Sequence, residues 1–238
     1  MIFERTQTAF FLLISLMASA QVKPKNNIDL IKTPLAIYKQ AKVYEDGTTA
    51  ISALQEIIAL EGRNSTYKDT LALYFYKMNK PLSCHLIAKE LLEKKPTDLV
   101  LLELNALSLQ QLNVTKEAIT AFEKLFTLSK NKYHGYQLAT LQFSIKRLSE
   151  GLSTITQTQT CKDLKDFELQ FNLDKNQTQR VPLNAAIFNM KGLIAYELND
   201  KESAKVAFDE ALKISPDFEL AKQNFNAIKV ELEKSESK

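Results

Sequence analysis

The chain has 238 residues, of which 45% are hydrophobic and 25% charged, and a formal net charge of +3. A charge this small and dispersed gives no basis for nucleic-acid binding. With 5 Gly and 6 Pro it lacks the turn residues of a many-stranded β protein, and its abundant Leu, Ala, Lys, Glu and Gln favour helix.

The predicted elements begin after an export signal. Residues 9–17 (AFFLLISLM) form an unbroken apolar run, too short to span a bilayer comfortably. Ala18, Ser19 and Ala20 follow as a small-x-small cleavage pattern, so the mature chain is expected to start at Gln21. Glu4 beside Arg5 leaves the start weakly charged, and an uncleaved N-terminal anchor is the alternative. No later segment is apolar enough to cross a membrane. Residues 21–28 read as a flexible leader.

Helical periodicity starts at Asp29. Leu35, Tyr38 and Ala41 share one face, and Asp46-Gly47-Thr48 breaks it, with Thr48 or Thr49 as the expected N-cap. Ala50, Leu54, Ile57 and Ile58 carry the next face. Residues 65–98 repeat the plan: Leu71, Ala72 and Phe75, a turn at Asn79-Lys80-Pro81, then Cys84, Ala88 and Leu91 before Pro96. Pro81 suits a first helical turn, where its missing N–H has no partner to lose. Residues 99–132 do the same with Ala106, Leu109, Ala118, Phe122 and Leu125. Ala50, Cys84 and Ala118 are spaced by 34 residues, as are Ala72 and Ala106. Fixed spacing of small residues marks stacked helix hairpins.

The unit at 132–165 carries Leu138, Ala139 and Phe143, then Gly151, Leu152 and Ile155. Gly151 falls 33 residues after Ala118, so a turn has lost one residue. The Thr-rich run at 154–160 predicts a frayed or early helix end, since β-branched Thr is a poor helix former. An insertion, 160–184, follows. Phe167, Leu169, Phe171 and Leu173 alternate with polar residues, a strand period. With a polar turn at 174–177 this makes a short β-hairpin, or else an extended loop whose apolar residues tuck against the helices. A further helix pair at 185–218 and a single amphipathic helix at 219–234 close the chain.

Residues 185–218 resemble the tetratricopeptide repeat (TPR). Gly192 and Ala204 are the small residues of close approach, Phe208 fills the space between helices, Ala211 lets the next unit dock and Pro216 ends the repeat. The earlier units, 29–64, 65–98, 99–132 and 132–165, are worn copies. The resemblance implies an all-α, right-handed α-solenoid with a C-terminal cap helix. It also implies a scaffold for protein–protein interaction rather than an enzyme, with the first helix of each unit lining a concave face. Carried onto this register, the candidate partner-binding residues are Leu73, Tyr76, Leu107, Gln110, Tyr133, Tyr136, Phe143, Asn189, Leu193 and Tyr196. These side chains are aromatic and aliphatic with few charges, which suits an apolar peptide or an amphipathic helix. Where some TPR proteins grip an acidic chain terminus with Lys and Asn, this chain has Asp69/Leu73 and Glu103/Leu107, so acidic tails are not expected ligands.

No catalytic, metal or cofactor set is visible. His85 beside Cys84 lacks further metal ligands, His134 reads as structural, and no phosphate-cradling Gly-rich loop occurs. The cysteines, Cys84 and Cys161, sit about two repeats apart, beyond the ~7 Å Cα reach of a disulfide. The expectation is an exported scaffold, periplasmic or otherwise envelope-associated, or secreted, that binds a protein partner. The alternatives are a structural or self-associating subunit of an envelope complex and a carrier of a small apolar ligand.

Overall fold

The computed structural model describes residues 27–162, 167–173 and 177–236. The expected export signal and most of the leader lie outside these. The described residues form five helix hairpins: α1 (Asn27–Val43) with α2 (Gly47–Glu61), α3 (Tyr67–Lys77) with α4 (Pro81–Leu92), α5 (Leu99–Gln111) with α6 (Thr115–Ser129), α7 (Lys132–Ser144) with α8 (Leu148–Gln159), and α9 (Leu183–Glu197) with α10 (Lys201–Ile214). A last helix, α11 (Glu219–Glu236), packs on α10. Each helix packs on its sequence neighbour, so the hairpins stack into an α-solenoid.

One device closes every hairpin. A residue in the left-handed region ends the first helix: Glu45 (φ 56°), Asn79 (53°), Asn113 (58°), Lys146 (61°) and Asn199 (62°). The next N–H then reaches back five residues, from Asp46 to the Ala41 carbonyl (2.9 Å), Lys80 to Phe75 (2.8 Å), Val114 to Leu109 (3.0 Å), Arg147 to Gln142 (2.9 Å) and Asp200 to Ala195 (2.9 Å). This satisfies carbonyls that a helix end leaves open. Asn tolerates the conformation best among non-glycine residues; Glu45 and Lys146 adopt it because the same hydrogen bond holds them. At the first turn Asp46, rather than Thr48 or Thr49, is the N-cap, and its carboxylate accepts the Thr49 N–H (3.0 Å).

The lost residue lies between α6 and α7. There, two residues suffice: Lys130, left-handed at φ 47°, ends α6, and Asn131 caps α7 by accepting the Tyr133 N–H (2.8 Å). The Thr-rich run does not end α8 early. The Thr158 hydroxyl donates to the Thr154 carbonyl (2.7 Å), so a fully buried Thr sits inside the helix with its polar group satisfied.

Ala50, Cys84, Ala118 and Ala204, at equivalent second-helix positions, are all 0% exposed. The stack shares its core between units: Leu104 of α5 joins the cluster of α2, α3 and α4, and Leu138 and Leu141 of α7 join that of α5 and α6. Cys84 and Cys161 are both free thiols, Cys84 buried.

The insertion is a β-hairpin. Strand β1 (Glu168–Asn172) pairs antiparallel with β2 (Thr178–Pro182), with Leu169 opposite Val181 and Phe171 opposite Gln179. Its polar side faces out. Phe171 packs on Phe218 (ring centroids 5.1 Å apart), at the turn into α11. The side-chain amide of Gln179 donates to the Asp217 carbonyl (2.6 Å) and accepts the Glu219 N–H (3.1 Å), fastening the hairpin to that turn.

Gly192 and Gly151, each inside a helix, differ in how closely a neighbour approaches. A Cβ on Gly192 would lie 2.4 Å from the Phe208 ring, whereas one on Gly151 meets nothing nearer than Ile194 Cδ1 at 3.4 Å. Urea unfolding of Gly192→Ala is therefore expected to show a loss of about 1–3 kcal/mol from overpacking. Gly151→Ala should gain about 0.5–1 kcal/mol, because the helix interior favours Ala. Equal effects of the two substitutions would contradict this packing.

Candidate partner-binding groove

The first helices of units two, three and four lie side by side. Helical spacing puts Leu73 and Tyr76 of α3 on one outward face. It does the same for Val100, Glu103 and Leu107 of α5, with the buried Leu104 beneath them. The start of α7 adds Asn131, Tyr133 and His134. Together with Phe167 these line a groove of about 530 Å³. The chain leaving α8 makes a parallel bridge between Lys162 and Asn131, which leads the insertion past the start of α7. Phe167 then stands against Tyr133, ring centroids 5.2 Å apart at 52°, and its carbonyl accepts the Leu183 N–H (2.9 Å).

The groove floor is polar at one place. His134 is buried, with Nδ1 2.8 Å from Ser129 Oγ and Nε2 3.4 Å from Glu103 Oε1. The Glu103 side chain keeps 40% of its surface exposed. Burial pushes the Tyr76 hydroxyl up from its ordinary pKa, and the neighbouring Tyr133 and the Glu103 carboxylate add to the shift. Burial does the same to Tyr133, against an opposing hydrogen bond with Gln137.

Four of the ten residues expected at a partner surface, Leu73, Tyr76, Leu107 and Tyr133, meet in this groove. Gln110 is half-buried and donates to Gln137 Oε1 (3.0 Å). Phe143 packs against the core between units four and five, with Lys146 Nζ 5.5 Å from its ring centroid. Two expectations are corrected. Tyr136 is only 8% exposed, because the start of α9 packs over it with Leu183 and Ile187. Asn189 is 5% exposed, and its side-chain oxygen accepts from Asn224 Nδ2 of α11 (3.0 Å). Leu193 packs against the buried cluster that includes Ile228 of α11, and the Tyr196 hydroxyl donates to Glu231 Oε1 (3.0 Å). The final helix thus buries Asn189 and engages Leu193 and the Tyr196 hydroxyl, leaving the Tyr196 ring exposed.

Val100 and Glu103 carried a usable signal, being seven and four residues before Leu107 on the same helix. Phe167 carried none, since strand alternation says nothing about which neighbouring unit a strand meets. Among the described residues no three His, Cys, Asp or Glu side chains are grouped to hold a metal ion. His85 Nδ1 lies 2.8 Å from Asn105 Oδ1.

A family model, the tetratricopeptide repeat, matches residues 185–218. That match lies in the unit whose Gly192 and Phe208 interlock, and the other four hairpins repeat its geometry. The fold is a right-handed tetratricopeptide-repeat solenoid. Among solved structures, the TPR protein YrrB, described as having an unusual peptide-binding site, superposes with a TM-score of 0.64 at 15% identity, over 84% of this chain and 97% of that one. The MamA protein does so with 0.63 at 14% identity, over 79% and 93%. MamA from Desulfovibrio magneticus RS-1 gives 0.60 at 12% identity, over 80% and 97%. At these identities the likeness is one of fold. No curated protein sequence matches the chain.

The burial of Tyr136 has a measurable consequence in this TPR stack. Desolvation pushes its hydroxyl up to about 12, with a Thr140 hydrogen bond opposing. A phenol raised in the folded state stabilises fully below the unfolded value near 10 and loses that contribution as pH rises toward the folded value. Between pH 9 and 11, the stability of the wild type should fall by about 1.4 kcal/mol more than that of Tyr136→Phe. Parallel pH dependences of the two proteins would place Tyr136 in water.

Proposed function

We propose that the chain is an exported scaffold that binds a protein partner through the concave face formed by its first helices, with the groove of Leu73, Tyr76, Leu107 and Tyr133 at the centre. One observation carries this reading: three successive first helices pool apolar side chains in a single open groove, and the insertion adds Phe167 to its wall. A groove of this size and lining suits a short peptide segment or one face of a partner helix. YrrB, with the same fold, is described as having a peptide-binding site; that supports the class of ligand and nothing finer. Export is read from the apolar run and Ala18-Ser19-Ala20 ahead of the solenoid. None of the described helices is long and apolar enough to cross a membrane.

Site-directed photocrosslinking in the native cell tests both parts. A photoreactive residue at Leu107 should capture a protein that the same residue at Val206, 61% exposed on α10, does not. Tyr133→Ala should cut that capture about fivefold or more, as loss of an aromatic anchor does. Identical adducts from both positions would refute the groove. N-terminal sequencing of the captured material should begin at Gln21, and retention of Met1 would refute cleavage.

A further inference from the structure

We infer that the partner segment held in this groove presents a cationic side chain, a lysine or arginine flanked by apolar residues, to Glu103. The inference rests on the groove being the partner site, and it adds the chemistry of what is recognised.

Glu103 is the one carboxylate among the groove's lining residues, and no lysine or arginine lines the groove with it. Among the described residues no lysine or arginine forms an ion pair with it either; its neighbour is the His134 ring, whose other nitrogen is engaged by Ser129. The remaining surface of the carboxylate faces an opening walled by Leu73, Tyr76, Val100, Leu107, Tyr133 and Phe167. A wholly apolar segment laid across it would strip water from a charge and leave nothing in return, which is costly. An acidic segment would add repulsion. A cation restores the lost solvation, and the groove's rings, Tyr76, Tyr133 and Phe167, can add attraction through their quadrupoles. Apolar neighbours on either side of the cation would fill the rest of the groove. The other large depression, between α4, α5 and α6, is lined by two lysines, Lys116 and Lys124, against the one carboxylate of Glu117, and so does not select a cation.

The test uses the full chain and a displayed random heptapeptide library, selected in parallel on wild type and on Glu103→Gln. Selected peptides are then resynthesised with blocked ends, so that a terminal ammonium cannot act as the cation, and titrated by fluorescence anisotropy. Wild type should enrich Lys or Arg at one position, and replacing that residue by Gln should weaken binding about tenfold. On Glu103→Gln the same replacement should cost less than about threefold. Peptides without a cation that bind wild type equally well, and lose binding on Tyr133→Ala, would overturn this inference while leaving the groove reading intact. Binding indifferent to both Glu103→Gln and Tyr133→Ala, or no selectable binder at all, would overturn both. Circular dichroism of the two variants separates loss of contact from loss of fold.

Discussion

A single helix hairpin is too thin to bury its own apolar faces, and the structure depends on each hairpin stacking against the next. Unit four shows this most clearly. Leu138 and Leu141 of α7 face the core of unit three, while Tyr136, Ala139 and Ile155 face Leu183, Ile187 and Ile194 of unit five. Ile155, Ile187 and Ile194 are almost wholly buried at this joint, and burying a side chain of that size is worth about 1.5–3 kcal/mol each. The chain between the two units therefore loops out rather than separating them. The hairpin of β1 and β2 is fastened at its far end by Gln179 and Phe171, and α8 still docks on α9.

The same constraint produces the candidate site. Stacking forces first helices into a row, and whatever their outward positions hold becomes one continuous surface. In units two to four those positions hold Leu73, Tyr76, Val100, Leu107 and Tyr133. The loop-out brings Phe167 back onto that surface beside Tyr133. At the other end of the row, α11 occupies the place of a further first helix: it buries Asn189, packs near Leu193 and holds the Tyr196 hydroxyl through Glu231, while the Tyr196 ring stays exposed. The open part of the row is thus the middle of the stack, and that is where the groove lies.

Much of the fold was legible because it rests on local rules that recur. The 34-residue spacing of Ala50, Cys84 and Ala118 needed only a small residue wherever two helices touch, and Leu169 and Phe171 announced a strand by alternation. The length of α8 was misjudged because propensity treats Thr as an isolated residue; Thr154 and Thr158 are neighbours on one helix turn, and a hydroxyl bonded to a carbonyl one turn back can be buried. Only part of the groove's lining was legible. Outward helix positions can be read from period, but whether an outward residue is open depends on what stacks above it. Tyr136 and Asn189 stand at the repeat position that Glu103 holds in unit three, yet unit five covers the first and the final helix covers the second.

The stack is continuous across the insertion, so that units four and five pack as one body. Native-state hydrogen exchange of Ile155→Ala tests it, since Ile155 lies in α8 and its contacts reach α9. Amides of α9 should lose protection together with those of α8, as members of one cooperative unit do. Unchanged protection in α9 alongside faster exchange in α8 would show two bodies joined by a linker and would contradict the account.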